Sequence, residues 1–235
     1  MQPRVEVEWN VLATEARYRP NRDLEESFAM STATPAVRRL QLGPRSAGMM
    51  LKPAEFDRAR FLEGWRYELI NGVLVVSPTP SRKERDPNEE LGRWLRNYGE
   101  DHPQGESLDV TLPEETLETG ENRRRADRVI WAGLGRDPKG EEAPTIVVEF
   151  VSSGKVNQDR DYIAKRAEYR GIGVREYWVV DRFRRTLTVF IFSGESDQER
   201  VIPENQSYKT PLLPGFELPL GQLLTLADRW AKKRI

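Results

Sequence analysis

Asp127 in the segment ADRVIW, Glu149 in TIVVEF and Lys165 in DRDYIAKRAEY are the residues of this chain whose types and surroundings point to chemistry. Each carboxylate lies in a short apolar run that reads as a buried strand, where an unpaired charge is costly. A metal ion, a lysine or an arginine is the usual partner that makes such burial tolerable. Two hard oxygen ligands and a lysine are the minimum equipment of a magnesium-dependent phosphodiester hydrolase, with Asp127 and Glu149 as ligands. A divalent cation there supplies Lewis-acid charge and lowers the pKa of a bound water. A lysine beside that water orients it or neutralises charge building on the phosphorus.

Around Glu149 no polar alternation relieves the run Ile146-Val147-Val148-Glu149-Phe150-Val151, which favours a functional reading of that acid. Asp127 equally suits the role of a strand terminator. On the helix expected after Glu149, Asp161, Lys165 and Glu168 share one face at spacings of four and three, so Asp161 can orient the lysine. The same charges also match an ordinary solvated helix face.

Composition removes several other chemistries. With 37 basic and 38 acidic residues the net charge is -1, so the chain is not a polycation and any phosphate-binding surface must be local. There is no cysteine, which excludes disulfides, thiolate zinc sites and cysteine nucleophiles. The single histidine, His102, precedes Pro103 in a turn and reads as a surface residue. No G-x-S-x-G elbow and no P-loop occur, and Gly171-Ile172-Gly173 follows a helix as a cap instead of preceding one as a phosphate cradle. No apolar run approaches the ~20 residues needed to cross a bilayer, and the first residues lack a secretory pattern, so a cytoplasmic protein without membrane partners is expected.

The elements that must position these residues follow from patterning. Residues 1–50, with scattered Pro, Arg, Ser and Thr, read as a poorly ordered arm, and residues 51–235 as one domain. Residues 51–64 open it with a short helix that tolerates Pro53 in its first turn. Asn71-Gly72 between two β-rich runs is a type I′ hairpin signal. Leu91, Trp94, Leu95 and Tyr98 form a helical stripe over 88–99. Strands are expected at 108–112, 127–132, 145–151, 176–181 and 186–192, with a helix over 157–170 and a closing amphipathic helix at 220–230. This order predicts an α/β fold with a central mixed sheet flanked by helices.

The segments RYELINGVLVVSPTP, ADRVIW, IVVEFVSS and DRDYIAKRAEYRGIGVREYWVVD, with the closing LLPGFELPL, resemble the Uma-two family of restriction endonuclease-like proteins. That family belongs to the PD-(D/E)XK nuclease superfamily, and the resemblance runs over residues 51–224. It implies a restriction-endonuclease-like core and a nuclease site using Mg2+ or Mn2+. Asp127 matches the first acid of the motif and Glu149 the second. The lysine usual two positions after the second acid is replaced by Val151, and Lys165 on the next helix corresponds to a displaced lysine. Ala126 stands where the motif has proline. Glu68 matches a family acid and is implied as an outer ligand or a neighbour of the ligands.

Arg123, Arg124 and Arg125 precede Asp127, and Arg182, Arg184 and Arg185 follow Asp181. Such clusters can hold phosphates without reading bases, and the first would deliver a backbone to the metal. A solvated loop balanced by Glu118 and Glu121 accounts for Arg123, Arg124 and Arg125 equally well. The expected partner is nucleic acid, DNA above all. Restriction-type folds often act as homodimers, although no interface stripe stands out here. The principal expectation is a divalent-metal-dependent endonuclease. The alternative is an inactive nuclease-fold module that binds nucleic acid or a protein partner.

Overall fold

The computed structural model describes residues 39–140, 142–154, 160–194 and 196–230. The described chain opens with β1 (Gln41–Leu42), which pairs in parallel with β2 (Arg60–Phe61) on either side of α1 (Pro53–Arg58). Residues 39–50, placed in the arm by composition, are therefore structured: Leu42 is fully buried with Phe56, Tyr67 and Leu74. Residues 1–38 lie outside the described residues. Next comes the hairpin of β3 (Trp65–Ile70) and β4 (Val73–Pro78). Asn71 and Gly72 have φ of 51° and 77°, as a type I′ turn requires.

The following helix, α2 (Arg82–Asp101), starts well before the expected residue 88. Pro87 does not end it, because Glu84 Oε2 accepts a hydrogen bond from Ser81 N at 2.6 Å and fixes the first turn ahead of the proline. A long hairpin then joins β5 (Leu108–Thr119) to β6 (Asn122–Ala132). β5 continues through Pro113, tolerated because this strand pairs with β6 alone and its missing N–H breaks no ladder. Asp127 consequently sits inside β6 and does not open it. The arginines before it extend the strand because carboxylates elsewhere in the fold receive them.

After β7 (Ile146–Phe150), residues 160–164 form a π-helical segment that leads into α3 (Lys165–Gly171). The start of the expected helix, 157–159, lies outside the described residues. β8 (Glu176–Asp181) and β9 (Thr186–Ile191) match expectation. β10 (Gln198–Pro203), β11 (Ser207–Lys209) and β12 (Glu217–Pro219) carry no clear sequence signal, and α4 (Leu220–Asp228) follows them.

The main sheet runs β10-β9-β8-β7-β6-β3-β4, with β5 also paired to β6. It is mixed, since β7 and β8 are parallel and the other pairs antiparallel. Ile146, Val148 and Phe150 face α2 and α4 through Leu91, Leu95, Leu220 and Leu223. Val147 and Val151 face the opposite side with Tyr169 of α3, and Glu149 shares that parity. Among the described residues no helix is long and apolar enough to cross a membrane.

Arg128 ties α2 to β6 beside Asp127. Its guanidinium is wholly buried and donates to Asn88 Oδ1 (2.7 Å), Asn88 O (3.0 Å) and Thr111 Oγ1 (3.0 Å). Burial lowers its pKa to about 10, which still leaves it charged at neutral pH. Gly92 is where α2 passes over this group: a Cβ there would lie 2.5–2.8 Å from three guanidinium atoms. Helix propensity favours alanine over glycine by about 1 kcal/mol. Crowding a pinned cation costs about 1–3 kcal/mol, so crowding wins. Gly92→Ala is expected to lower the Tm in thermal unfolding; an unchanged or raised Tm would show that Arg128 can yield.

Candidate active site

Strand register brings the two acids together. Arg128 pairs with Val148 and Val129 with Val147, so one further step of this antiparallel ladder sets Asp127 opposite Glu149. β6 also exchanges neighbours here: Leu69 of β3 pairs with Arg123, whereas Val148 of β7 pairs with Arg128. Asp127 thus stands at the fork where β3 and β7 diverge. Its Oδ2 accepts a hydrogen bond from Phe150 N at 2.7 Å, and its backbone carbonyl accepts one from Asn88 Nδ2 at 2.7 Å.

α3 brings the lysine down onto this pair. Lys165 Nζ donates to Glu149 Oε1 at 2.8 Å, and the Tyr169 hydroxyl, one helical turn later, donates to the same oxygen at 2.8 Å. Asp161 Oδ1 lies 3.8 Å and Glu68 Oε1 3.9 Å from the same nitrogen. Asp127, Glu149, Lys165, Asp161 and Glu68 are each at most 5% exposed. The lysine is therefore part of a buried charge cluster, and the solvated-face account of it is excluded. Glu68 also accepts a bond from Arg125 N at 3.2 Å.

Arg66 completes the cluster and was not foreseen. Its Nη1 lies 2.9 Å from Asp127 Oδ1, its Nε 3.3 Å from Glu114 Oε2, and its Nη2 donates to Arg125 O at 2.9 Å. The only signal for it was its place two residues before Glu68, on the same face of β3. Tyr169 was missed likewise, although it lies four residues beyond Lys165 on one helix face.

The electrostatics follow from burial. Desolvation is the largest influence on Glu149 and pushes its carboxyl up to about 8; Lys165 opposes this, while Asp127 and Asp161 reinforce it. Burial, with Glu149 beside it, raises the Tyr169 hydroxyl well above its ordinary value, so it serves as a donor. Burial disfavours the charge on Arg66, yet Asp127, Glu114, Glu149 and Glu68 together hold it ionised.

The three-arginine phosphate clamp is not what the structure builds. Arg123 forms paired bonds of 2.8 Å to Asp57, and Arg124 binds Glu168 and is itself almost fully buried. These carboxylates are what allow the run of arginines to continue as strand. Glu168, set on the face of Lys165 by helical spacing, engages Arg124 and Thr119, so the solvated-face alternative does not hold for it either. Arg125 alone of the three is substantially exposed, with its Nη1 on Thr116. In the second cluster Arg185 is engaged by Glu204 and Asp228, while Arg182 lines a cleft.

That cleft, about 480 Å³, leads from the surface to the cluster. Arg66, Glu68 and Lys165 lie toward its floor, with Lys83, Ser152 and Arg182 around it. A divalent cation is tested here by the oxygens on offer. Asp127 Oδ1 is buried and accepts no hydrogen bond, since the contact from Arg66, though short, is not aligned for one. Among the described residues no group of three or more acidic, histidine or cysteine side chains forms a ready metal cage. Mg2+ commonly takes only one or two protein carboxylates and completes its octahedron with water and phosphate. Asp127 and Glu149 fit a site of that kind.

No curated protein matches this chain. Among solved structures, the "putative nuclease belonging to DUF820" from Anabaena variabilis matches with a TM-score of 0.59 at 16% identity, covering 75% of this chain and 99% of that one. At such identity the match shows a shared fold. A family model described as "Putative restriction endonuclease" matches residues 53–221, a span containing every acid of the cluster together with Lys165 and Arg66. The chain therefore belongs to the Uma2 family of that description.

Proposed function

We propose that the protein is a divalent-metal-dependent endonuclease that hydrolyses phosphodiester bonds in nucleic acid, with DNA as its substrate. The observation that carries this reading is the register-matched pair Asp127 and Glu149, buried with Lys165 on the second acid, in a chain of a restriction-endonuclease family. In this reading Asp127 and Glu149 hold Mg2+ or Mn2+, which when bound supplies Lewis-acid charge to the scissile phosphate and acidity to a water.

The remaining work falls to the chain itself. Lys165 keeps a compact positive charge at Glu149 Oε1 and would face the charge that develops on the phosphoryl oxygens. Asp161 and Glu68, near 3.8–3.9 Å, hold its ammonium in place. Tyr169 fixes the Glu149 carboxylate by its hydrogen bond. Arg125, Lys83 and Arg182 lie where the sugar-phosphate backbone would enter, and none presents a base-reading pattern, so weak sequence preference is expected.

The test is digestion of supercoiled plasmid, linear duplex and single-stranded DNA with Mg2+ or Mn2+, each against an EDTA control. Metal-dependent nicking that disappears in Asp127→Asn supports the proposal. Metal-independent binding of the same DNAs without cleavage would favour an inactive binding module.

A further inference from the structure

Resting on that reading, we infer that Arg66 is a positioning residue that occupies the cation's place on Asp127 and withdraws to Glu114 when a divalent ion binds. Arg66 is the only described cation within 4.0 Å of the Asp127 carboxylate. Its Nη1 lies 2.9 Å from Oδ1, yet that oxygen, buried, accepts no hydrogen bond. The contact is thus one of charge without the alignment of a built guanidinium–carboxylate fork, and a divalent ion that coordinates the same oxygen directly can replace it.

A second berth stands ready. Glu114 Oε2 lies 3.3 Å from Arg66 Nε and 3.5 Å from Arg125 Nε, both long contacts that leave the carboxylate room to take a guanidinium squarely. The backbone places it there at a cost. Pro113 pairs with Arg128 and Glu115 with Ala126, so Glu114 falls opposite Asp127 in the hairpin register. Its φ is 55°, a left-handed conformation that residues other than glycine rarely adopt and that interrupts an otherwise extended strand. The kink lets Glu114 meet the Arg66 guanidinium, which therefore bridges two acids opposite each other across β5 and β6.

The position of Arg66 suits a transfer of this kind. It borders two clefts, the one leading to Lys165 and a second of about 470 Å³ lined by Trp65, Arg85, Glu114 and Arg125. Moving from Asp127 toward Glu114 shifts its charge from the first cleft to the second while Nη2 can keep Arg125 O as its acceptor. The buried acids are then never left without positive charge, which spares the penalty of exposing an unpaired carboxylate to the interior. Metal affinity is accordingly set by competition between the guanidinium and the ion.

The experiment is calorimetric titration of Mn2+ alone into the wild type, Arg66→Met, Arg66→Gln, Glu114→Gln, Arg66→Met/Glu114→Gln and Asp127→Asn, with thermal unfolding of each confirming the fold. Arg66→Met and Arg66→Gln are expected to bind Mn2+ about tenfold more tightly than the wild type, the scale of one displaced ion pair. Glu114→Gln is expected to weaken binding by about fivefold, and by no more than about twofold once Arg66 is absent, when only its bare charge counts. A merely structural Arg66 would loosen the site, so equal or weaker Mn2+ binding in both Arg66 variants overturns the inference. If the wild type then still binds Mn2+ and Asp127→Asn does not, the metal site stands while the role of Arg66 falls. If no protein of the series binds Mn2+, both are rejected. Binding by the Arg66 variants alone supports the competition in its strongest form.

Discussion

Asp127→Asn is expected to reduce DNA cleavage by about 10³-fold or more while the protein stays folded, because the substitution removes the charge but not the shape of a group serving the reacting centre. An amide oxygen can still accept from Phe150 N, whose 2.7 Å bond joins β6 to β7 at this point. The amide nitrogen must then face Arg66 Nη1, now 2.9 Å from Oδ1, which costs an ion pair. Against that loss, one of two facing acids no longer resists the ionisation of the other, since Asp127 is among the influences raising the Glu149 carboxyl. The two effects oppose each other, and the stability change is expected within about 2 kcal/mol. Plasmid nicking rates together with thermal melts measure both. A near-wild-type rate in Asp127→Asn would remove Asp127 from the reaction, whereas loss of folding would assign it a structural duty first.

The second large effect is Lys165→Met, whose destabilisation should grow with pH. Glu149 has a folded pKa raised to about 8, so the folded state retains a proton that an unfolded glutamate has released. For such a group stability falls as pH rises from the ordinary carboxylate value through the folded pKa. Lys165 limits that fall, because its charge 2.8 Å away lowers the Glu149 pKa. Without it the carboxyl stays protonated to still higher pH, and the difference from the wild type opens above about 8. Near pH 6 both proteins carry the Glu149 proton, and the variant forfeits the hydrogen bonds of Nζ to Glu149 Oε1 and Arg125 O and the longer contacts with Asp161 and Glu68, but no attraction to a charged Glu149. By pH 9 the deficit should exceed that at pH 6 by up to about 1.4 kcal/mol, the linkage limit for one proton over one pH unit beyond the folded pKa. Urea unfolding at pH 6 and pH 9 reads this, and Lys165→Met/Glu149→Gln should recover much of the loss at the higher pH. Equal deficits at the two pH values would show that Glu149 and Lys165 are not coupled. Cleavage by Lys165→Met should fall by about 10²-fold or more at either pH.

Local signals carried the elements well where local physics decides them. Asn71-Gly72 requires its turn because both residues must take positive φ, and the stripe Leu91, Leu95 and Tyr98 needs a helix to share one face. Where tertiary partners decide, the local signal misleads. The arginines before Asp127 look like a loop, yet Asp57 and Glu168, far away in sequence, make them strand. Pro87 looks like a helix boundary, yet the Ser81–Glu84 cap places the start upstream.

The same division runs through the site. Residue types and short spacings are enough to establish that two acids stand in apolar runs, that Lys165 follows on a helix with Asp161 on its face, and that no cysteine or second histidine offers other chemistry. Those are properties of residue type and short spacing, which are local. By the same burial argument Glu176, opening an apolar strand, would have ranked beside Glu149. Only the tertiary structure separates them: Glu176 is satisfied by the neutral donors Trp178, Tyr208 and Thr210, whereas Glu149 faces Asp127 and binds Lys165. Arg66 entered the cluster in the same way, because which acid meets which cation depends on the register of β3, β5, β6 and β7 and on where they diverge. That pairing is a long-range outcome of sheet assembly, which no short window of sequence contains.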